Sequence, residues 1–222
     1  MFRQISEKIF CFFSPNSGSN SYLLLGQREK ALIDSSTGQN ANALLAGLSA
    51  LNISPEDISL ILHTHCHADH LGNSHLFPKA AKAMHKLDGK AVNAKDPKTT
   101  CSHFFPETIF PKISKFLSQN KSLGLGSLSL KTIHCPGHTA GSLCFFLEKE
   151  GILFSGDVLF SSGFGRTDLS SGSPEKMLES LKNLQKKPIK VLLSGHGPVL
   201  AGQGQIAQHL EKTIEIASKD AL

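Results

Sequence analysis

Three histidines and an aspartate fall within six residues of a 222-residue chain, in the run His65-Cys66-His67-Ala68-Asp69-His70. In an extended segment His65 and His67 point to one face. After a bend, Asp69 and His70 can turn toward a neighbouring point, so one loop can offer two ligands to each of two adjacent cations. Zinc binds imidazole nitrogen and carboxylate oxygen at about 2.0–2.2 Å in four-coordinate sets. Two ligands complete neither site, so the fold must bring further ones from distant parts of the chain. The composition allows this: 40% of residues are hydrophobic and 18% charged, which suits a packed domain and argues against global disorder, a coiled coil or a small disulfide scaffold. No apolar run reaches the ~18 residues that span a bilayer. The stretch Ile9 to Phe13 is too short for the core of a signal peptide.

Three later motifs each place one ligand-type residue in a glycine-bearing turn at a strand end. They are Pro136-Gly137-His138-Thr139, Ser155-Gly156-Asp157 and Ser194-Gly195-His196-Gly197-Pro198. Glycine permits tight turns and close backbone approach there. The surrounding pattern predicts a strand at Ile58 to Leu62 leading into the histidine run. A hairpin is expected from Tyr22 to Leu25 and Ala31 to Ile33 across the polar turn 26–30, with further strands at Leu128 to Ile133, Leu143 to Leu147, Ile152 to Phe154 and Ile189 to Leu193. Helices are predicted at Asn40 to Leu51, Ser74 to Leu87, Pro174 to Leu184 with Ser173 as its cap, and Ile206 to Ala217. Phe104, Phe105, Phe110 and Phe116 are expected to be core contacts. Two face-to-face sheets with helices outside fit this order.

The ordered set of motifs resembles the metallo-β-lactamase superfamily, from about Tyr22 to Val199. The resemblance implies an α/β (α+β) four-layer αββα sandwich, taken as a single domain over residues 1–222 with a variable segment at about 76–126. By resemblance, His65, His67 and His138 hold one metal, Asp69, His70 and His196 hold a second, and Asp157 bridges them. Asp34 matches the family's early aspartate, a structural residue. The stretch Gly156-Asp157-Val158-Leu159-Phe160, running on to Gly165-Arg166-Thr167-Asp168, resembles glyoxalase II-like hydrolases and the related persulfide dioxygenases. Gly195-His196-Gly197-Pro198 looks more like the hydrolases. Flavodiiron proteins carry Glu where His67 stands. In glyoxalase II proper a helical C-terminal domain with assisting tyrosines holds glutathione. Here 26 residues follow His196 and the single tyrosine is Tyr22, so glutathione is not implied as the carrier.

These readings give a hydrolase with two divalent ions, zinc first and iron or manganese as alternatives. Water activated by the metals would attack a thioester or similar activated acyl compound, with Asp69 and Asp157 as the catalytic carboxylates. The first alternative is a mononuclear Fe(II) persulfide dioxygenase built on His65, His138 and Asp157. An RNA-processing hydrolase and a non-catalytic zinc module stand behind it. Residues 79–121 hold nine lysines against Asp88, Asp96 and Glu107, while the whole chain carries +5. That basic stretch suits a small anionic substrate; neither a membrane nor, on balance, a nucleic acid is an expected partner, and the oligomeric state is not readable. Five widely spaced cysteines with no Cys-x-x-Cys are read as free thiols of a cytoplasmic protein. Segment 92–120 is a candidate lid, His63 and His134 are candidate partners of the ligands, and Arg166 is expected to pair with Asp168. His75, His85, His103 and His209 read as surface residues. Cys66 reads as packing.

Overall fold

Strands buried on both faces divide the molecule into layers. The computed structural model describes residues 1–27 and 29–221. The first sheet contains β1 (Phe2–Ser6), β2 (Ile9–Phe12), β3 (Ser21–Leu25), β4 (Lys30–Ile33), β5 (Ile58–Leu62), β6 (Ala81–His85) and β7 (Lys115–Leu117), in that spatial order. Pairing is antiparallel as far as β4 and parallel from β4 to β7. The second sheet contains β8 (Ser122–Leu125), β9 (Leu128–His134), β10 (Leu143–Leu147), β11 (Ile152–Gly156), β12 (Val191–Ser194) and β13 (Leu200–Ala201), also neighbours in chain order. Only β11 and β12 run parallel in it. Among the described residues five α-helices accompany the sheets: α1 (Ala41–Ser49), α2 (Ala68–Leu71), α3 (Lys86–Asn93), α4 (Pro174–Gln185) and α5 (Gln203–Asp220).

Side chains of a strand alternate between faces, and here each face meets a different core. Tyr22 and Leu24 of β3, Ala31 and Ile33 of β4, and Leu143, Phe145 and Leu147 of β10 fill the space between the sheets. Leu23 and Leu32 turn outward onto Leu44 and Leu48 of α1. Cys144 and Phe146 turn outward onto Met177 and Leu181 of α4 and Leu210 of α5. The result is a four-layer αββα sandwich, the architecture the resemblance implies. Helix α4 starts as its sequence predicts, with Pro174 at the first position and the Ser173 hydroxyl accepting from Lys176 N–H at 3.2 Å. Among the described residues no helix is long and apolar enough to cross a membrane.

The predicted hairpin forms from β3 and β4; its turn includes Arg28, which lies outside the described residues. The apolar run Ile5 to Phe13 spans the end of β1 and all of β2, which fold back on each other. Residues 74–87 are not a helix. They form a 3-10 turn at Ser74–Leu76, then β6, and α3 begins only at Lys86. Pro78 disfavours the helical conformation at Phe77. Beyond it, parallel pairing of Ala81 and Ala83 with Leu60 and Leu62 overrides the helical preference of alanine. The phenylalanines also divide: Phe110 packs on a buried cluster, whereas Phe104 and Phe116 are exposed.

Candidate metal centre

The chain leaves β5 at Leu62 and enters the histidine run at the edge where the two sheets meet. Leu143 N–H donates to Thr64 O at 2.7 Å, which ties this loop to the second sheet. His65 and His67 precede the single helical turn α2, and Asp69 and His70 lie on it. That is the bend needed to split the four side chains between two points. His138 comes from the β9–β10 loop, Asp157 from the end of β11, and His196 from the turn after β12. All seven residues converge.

Their geometry forms overlapping clusters. His65, His67 and His138 offer ligand atoms within 4.8 Å of one another, and so do Asp69, His70 and His196. Asp157 lies between: its Oδ1 is 3.2 Å from His70 Nε2, and its Oδ2 is 3.6 Å from His138 Nε2 and 3.5 Å from His196 Nε2. His65, His67, His70 and His138 are buried, whereas the His196 side chain is 33% exposed. The opening to solvent is therefore on the His196 side.

Hydrogen bonds behind the rings fix which nitrogen faces inward. His138 Nδ1–H donates to Arg166 O at 2.8 Å. His70 Nδ1–H donates to Asp34 Oδ2 at 2.8 Å. The Thr64 hydroxyl donates to the same oxygen at 2.7 Å, so at 3.1 Å it accepts from His65 Nδ1–H. Each of these rings then turns Nε2 toward the centre, and at His65 and His138 that nitrogen is a bare lone pair. His65 Nε2, His138 Nε2 and Asp157 Oδ1 are buried and have no hydrogen-bond partner. An orphaned buried polar atom costs about 1–3 kcal/mol, and facing lone pairs repel. Cations relieve both penalties, so the residues present fit a pair of metal ions.

Electrostatics agrees. Burial, then the neighbouring His138, pushes His67 down to about 3. Burial and the adjoining rings hold His65 well below the usual histidine value. Both are thus neutral, as a ligand must be. Burial also acts against charge on His70, but Asp157, Asp69 and Asp34 outweigh it and raise the ring's pKa. Burial opposes charge on Asp157 too, and the His70, His196 and His138 rings overcome it and keep the carboxylate ionised.

Close packing leaves no room for larger residues. A side chain at Gly195 would collide with Asp157 Oδ1 and come within 2.6 Å of His70 Cε1. Gly156 adopts φ 51°, and a Cβ there would meet Thr64 Oγ1. The His196 turn is held from the first sheet by Tyr22, whose hydroxyl donates to Ser194 O at 2.6 Å, and by Asn20 Nδ2, which donates to Gly197 O at 3.0 Å.

His63 lies behind the centre, with Nε2 3.0 Å from Ser74 Oγ and Nδ1 3.8 Å from Asp34 Oδ1. His134 does not enter the clusters. Its Nε2–H donates to Ala140 O at 2.9 Å, and its ring stacks on His85 at 4.2 Å. Cys66 points away from the clusters into an apolar group with Met84 and Val92. All five cysteines are free and buried. Arg166 pairs bidentately with Asp168 at 2.9 and 2.8 Å, both exposed.

One residue with a large role is absent from the motif reading. Asp88 is buried on α3, and its Oδ2 accepts from Cys66 N–H at 3.0 Å and from the Thr139 hydroxyl at 2.7 Å. It joins the first histidine loop to the His138 loop. The sequence signal was a carboxylate four residues before Val92, on the buried face of a short helix.

Comparison with known proteins adds a family and relatives. The family model described as Metallo-beta-lactamase superfamily matches residues 15–196. A protein named "Probable metallo-hydrolase" from Methanocaldococcus jannaschii is 33% identical over 193 residues, covering 82% of this chain and 88% of that protein. A hydroxyacylglutathione hydrolase of Dictyostelium discoideum is 30% identical over 208 residues, covering 90% and 68%. That of Bartonella henselae is 32% identical over 157 residues; the match takes in 70% of this chain but only 54% of that protein's length. Among solved structures, the metallo-beta-lactamase family protein TTHA1429 from Thermus thermophilus aligns with TM-score 0.84 at 23% identity, covering 97% and 81%. TTHA1623, solved in a di-iron-bound form, aligns with TM-score 0.73 at 27% identity, covering 90% and 98%.

Proposed function

The chain belongs to the metallo-β-lactamase superfamily as a metal-dependent hydrolase, and on that premise we propose that it cleaves a thioester or a similarly activated acyl compound. The orphaned inward-facing atoms of His65, His138 and Asp157 carry the two-metal part of this reading. His65, His67 and His138 would hold one ion, Asp69, His70 and His196 the other, with Asp157 shared. The similarity to hydroxyacylglutathione hydrolases at about 30% identity supports the thioester.

Divalent ions held by these residues would supply a water whose pKa falls from 15.7 to about 7 and a Lewis acid for the carbonyl oxygen. The chain does the rest. Asp69 Oδ2 lies 3.2 Å from His196 Nε2 on the open side, where it can accept a hydrogen bond from the attacking water and hold its proton. His196, partly exposed, borders the space the acyl group enters. The thiolate that leaves needs no prior protonation, so no general acid is required on its side. The buried rings of His65, His67, His70 and His138 keep bulk water from the inner face.

Zinc is the first candidate, and iron stands beside it because a relative is known in a di-iron form. Elemental analysis of protein purified without added metal, paired with release of free thiol from a thioester panel, tests the reading. About two equivalents of metal and thioester turnover are expected. One equivalent of iron, with oxygen consumed in the presence of a persulfide, would move the assignment to the dioxygenase. Asp157→Ala should lose both metal and turnover; an Asp157→Ala protein that keeps full activity would overturn the shared-ligand role.

A further inference from the structure

Residues 96–110 form a strap across the metal-binding loop, and the strap is fastened at both ends. At its first leg, Thr100 O accepts from Ala68 N–H at 2.9 Å and Thr99 O accepts from Cys66 Sγ–H at 3.4 Å. At its second leg, the Thr37 hydroxyl donates to Glu107 Oε1 at 2.9 Å, and Gly38 beside it packs on Gly72, two residues after His70. Asn93 closes the base, with its Oδ1 accepting from Ile113 N–H at 2.8 Å. Within the strap, Thr100 and Thr99 bond to Asp96, and Phe104, Phe105 and Thr108 turn on local backbone bonds. Cys101 sits at the foot of the exposed part with φ 54°, a left-handed conformation that reverses the chain. Burial, then the charge of Asp69, raises the pKa of its thiol.

A loose loop exposes apolar side chains incidentally. A fastened one holds them in place at a standing cost in hydration. Phe104 is 64% exposed and Ile109 54% exposed, two of the six large hydrophobic residues so exposed among the described residues. Both lie on this one strap, next to the loop that supplies four of the seven converging side chains. Fixed apolar surface beside a polar reaction centre is what a ligand with an apolar arm would cover.

We propose that the strap is one wall of the substrate site, and that Phe104 and Ile109 select substrates whose acyl group carries an apolar chain of several carbons over short or hydroxylated ones. This rests on the thioester reading above and adds the class of acyl group to it. Burial of each methylene favours binding by about fourfold, so a one-sided wall should give roughly tenfold between a two-carbon and a six-carbon acyl group.

The test uses the metal-loaded enzyme and acetyl, lactoyl and hexanoyl thioesters of N-acetylcysteamine, a neutral carrier that isolates the acyl group. We expect kcat/KM for hexanoyl to exceed acetyl and lactoyl by about tenfold. In Phe104→Ala/Ile109→Ala that ratio should fall to within about twofold with metal content retained, and Phe104→Leu should restore part of it. Ile216→Ser, which removes an exposed hydrophobic residue on α5, should leave the ratio unchanged. A wild-type enzyme without chain-length preference, or a double variant that keeps it, overturns the wall while the hydrolase reading stands. Absence of turnover with every thioester overturns the thioester reading instead. Calorimetry with a non-hydrolysable hexanoyl thioether then decides the wall: weaker binding to the double variant supports it, and equal binding overturns it.

Discussion

Asp34 accepts from His70 Nδ1, from the Thr64 hydroxyl and, through Oδ1, from Thr64 N–H at 2.9 Å. It does so from φ 55°, a region where aspartate is better tolerated than most residues. One carboxylate thus sets the orientation of His70 directly and of His65 through Thr64. Partners of this kind change metal affinity by 10–100-fold when lost. Asp34→Ala should therefore weaken metal binding by that order in a chelator competition, with the seven converging residues intact; unchanged affinity would deny Asp34 this role. Asp88 acts on loops rather than rings. Asp88→Ala leaves the Cys66 N–H without its acceptor and the Thr139 hydroxyl with Ser142 Oγ alone, and at about 1–3 kcal/mol for the orphaned N–H it should lower the melting temperature by several degrees. The two aspartates were unequally legible. Asp34 stands in a run that resembles a known motif. Asp88 is isolated in sequence, and its value depends on two loops 73 residues apart, at Cys66 and Thr139, meeting across it.

At the scale of elements, periodicity served well wherever a strand or helix answered to its own residues. Strand β5 has the predicted limits, and α4 starts at its predicted cap and proline. It failed at 74–87, where Ala, Lys and Leu suit a helix but the open edge of β5 takes the segment as its neighbour. The same region holds an unusual cap. His85 precedes α3, and its Nδ1 accepts from Leu87 N–H at 3.3 Å, the job of Ser, Thr, Asp or Asn in most helices. Burial, then the stacked His134, lowers His85 to about 4 from the ordinary 6.5. A neutral ring is what the cap requires, since only the unprotonated nitrogen accepts. In the unfolded chain the ring takes up its proton near 6.5, so between 6.5 and 4 the unfolded state binds more protons than the folded one. The cap's contribution is therefore complete above 6.5 and declines as pH falls toward 4. His85→Asn keeps an acceptor and removes the titration. Its unfolding free energy, measured in denaturant, should match the wild type at pH 8 and fall less steeply on acidification. Parallel curves for the two proteins would show that His85 contributes no such dependence.

For the whole molecule, what matters is which sheet each converging side chain comes from. His65, His67, Asp69 and His70 leave the first sheet after β5, whereas His138, Asp157 and His196 leave the second after β9, β11 and β12. The apolar core between the sheets already holds them face to face. The converging side chains add a second junction at one edge, where the inward-facing atoms of His65, His138 and Asp157 have no hydrogen-bond partner. A shared pair of ions would turn that edge from a strained seam into a cross-link between sheets. This arrangement could not be read from strand patterns alone: the motifs named the residues, but only the parallel β4–β5–β6 and β11–β12 pairings bring their strand ends to one edge. Binding energy spent on the folded state appears as stability, about 2.7 kcal/mol when free metal is 100 times its dissociation constant. For a chain of this size each kcal/mol moves the melting temperature by about 2–4 °C. Calorimetric melting after treatment with a strong chelator should thus fall by roughly 5–10 °C and recover on adding zinc. Asp157→Ala, already relieved of one charge between the clusters, should show little further loss with chelator. A wild-type melting temperature indifferent to chelator and metal would mean that the edge is held by packing alone, and that the inward-facing lone pairs are tolerated without a cation.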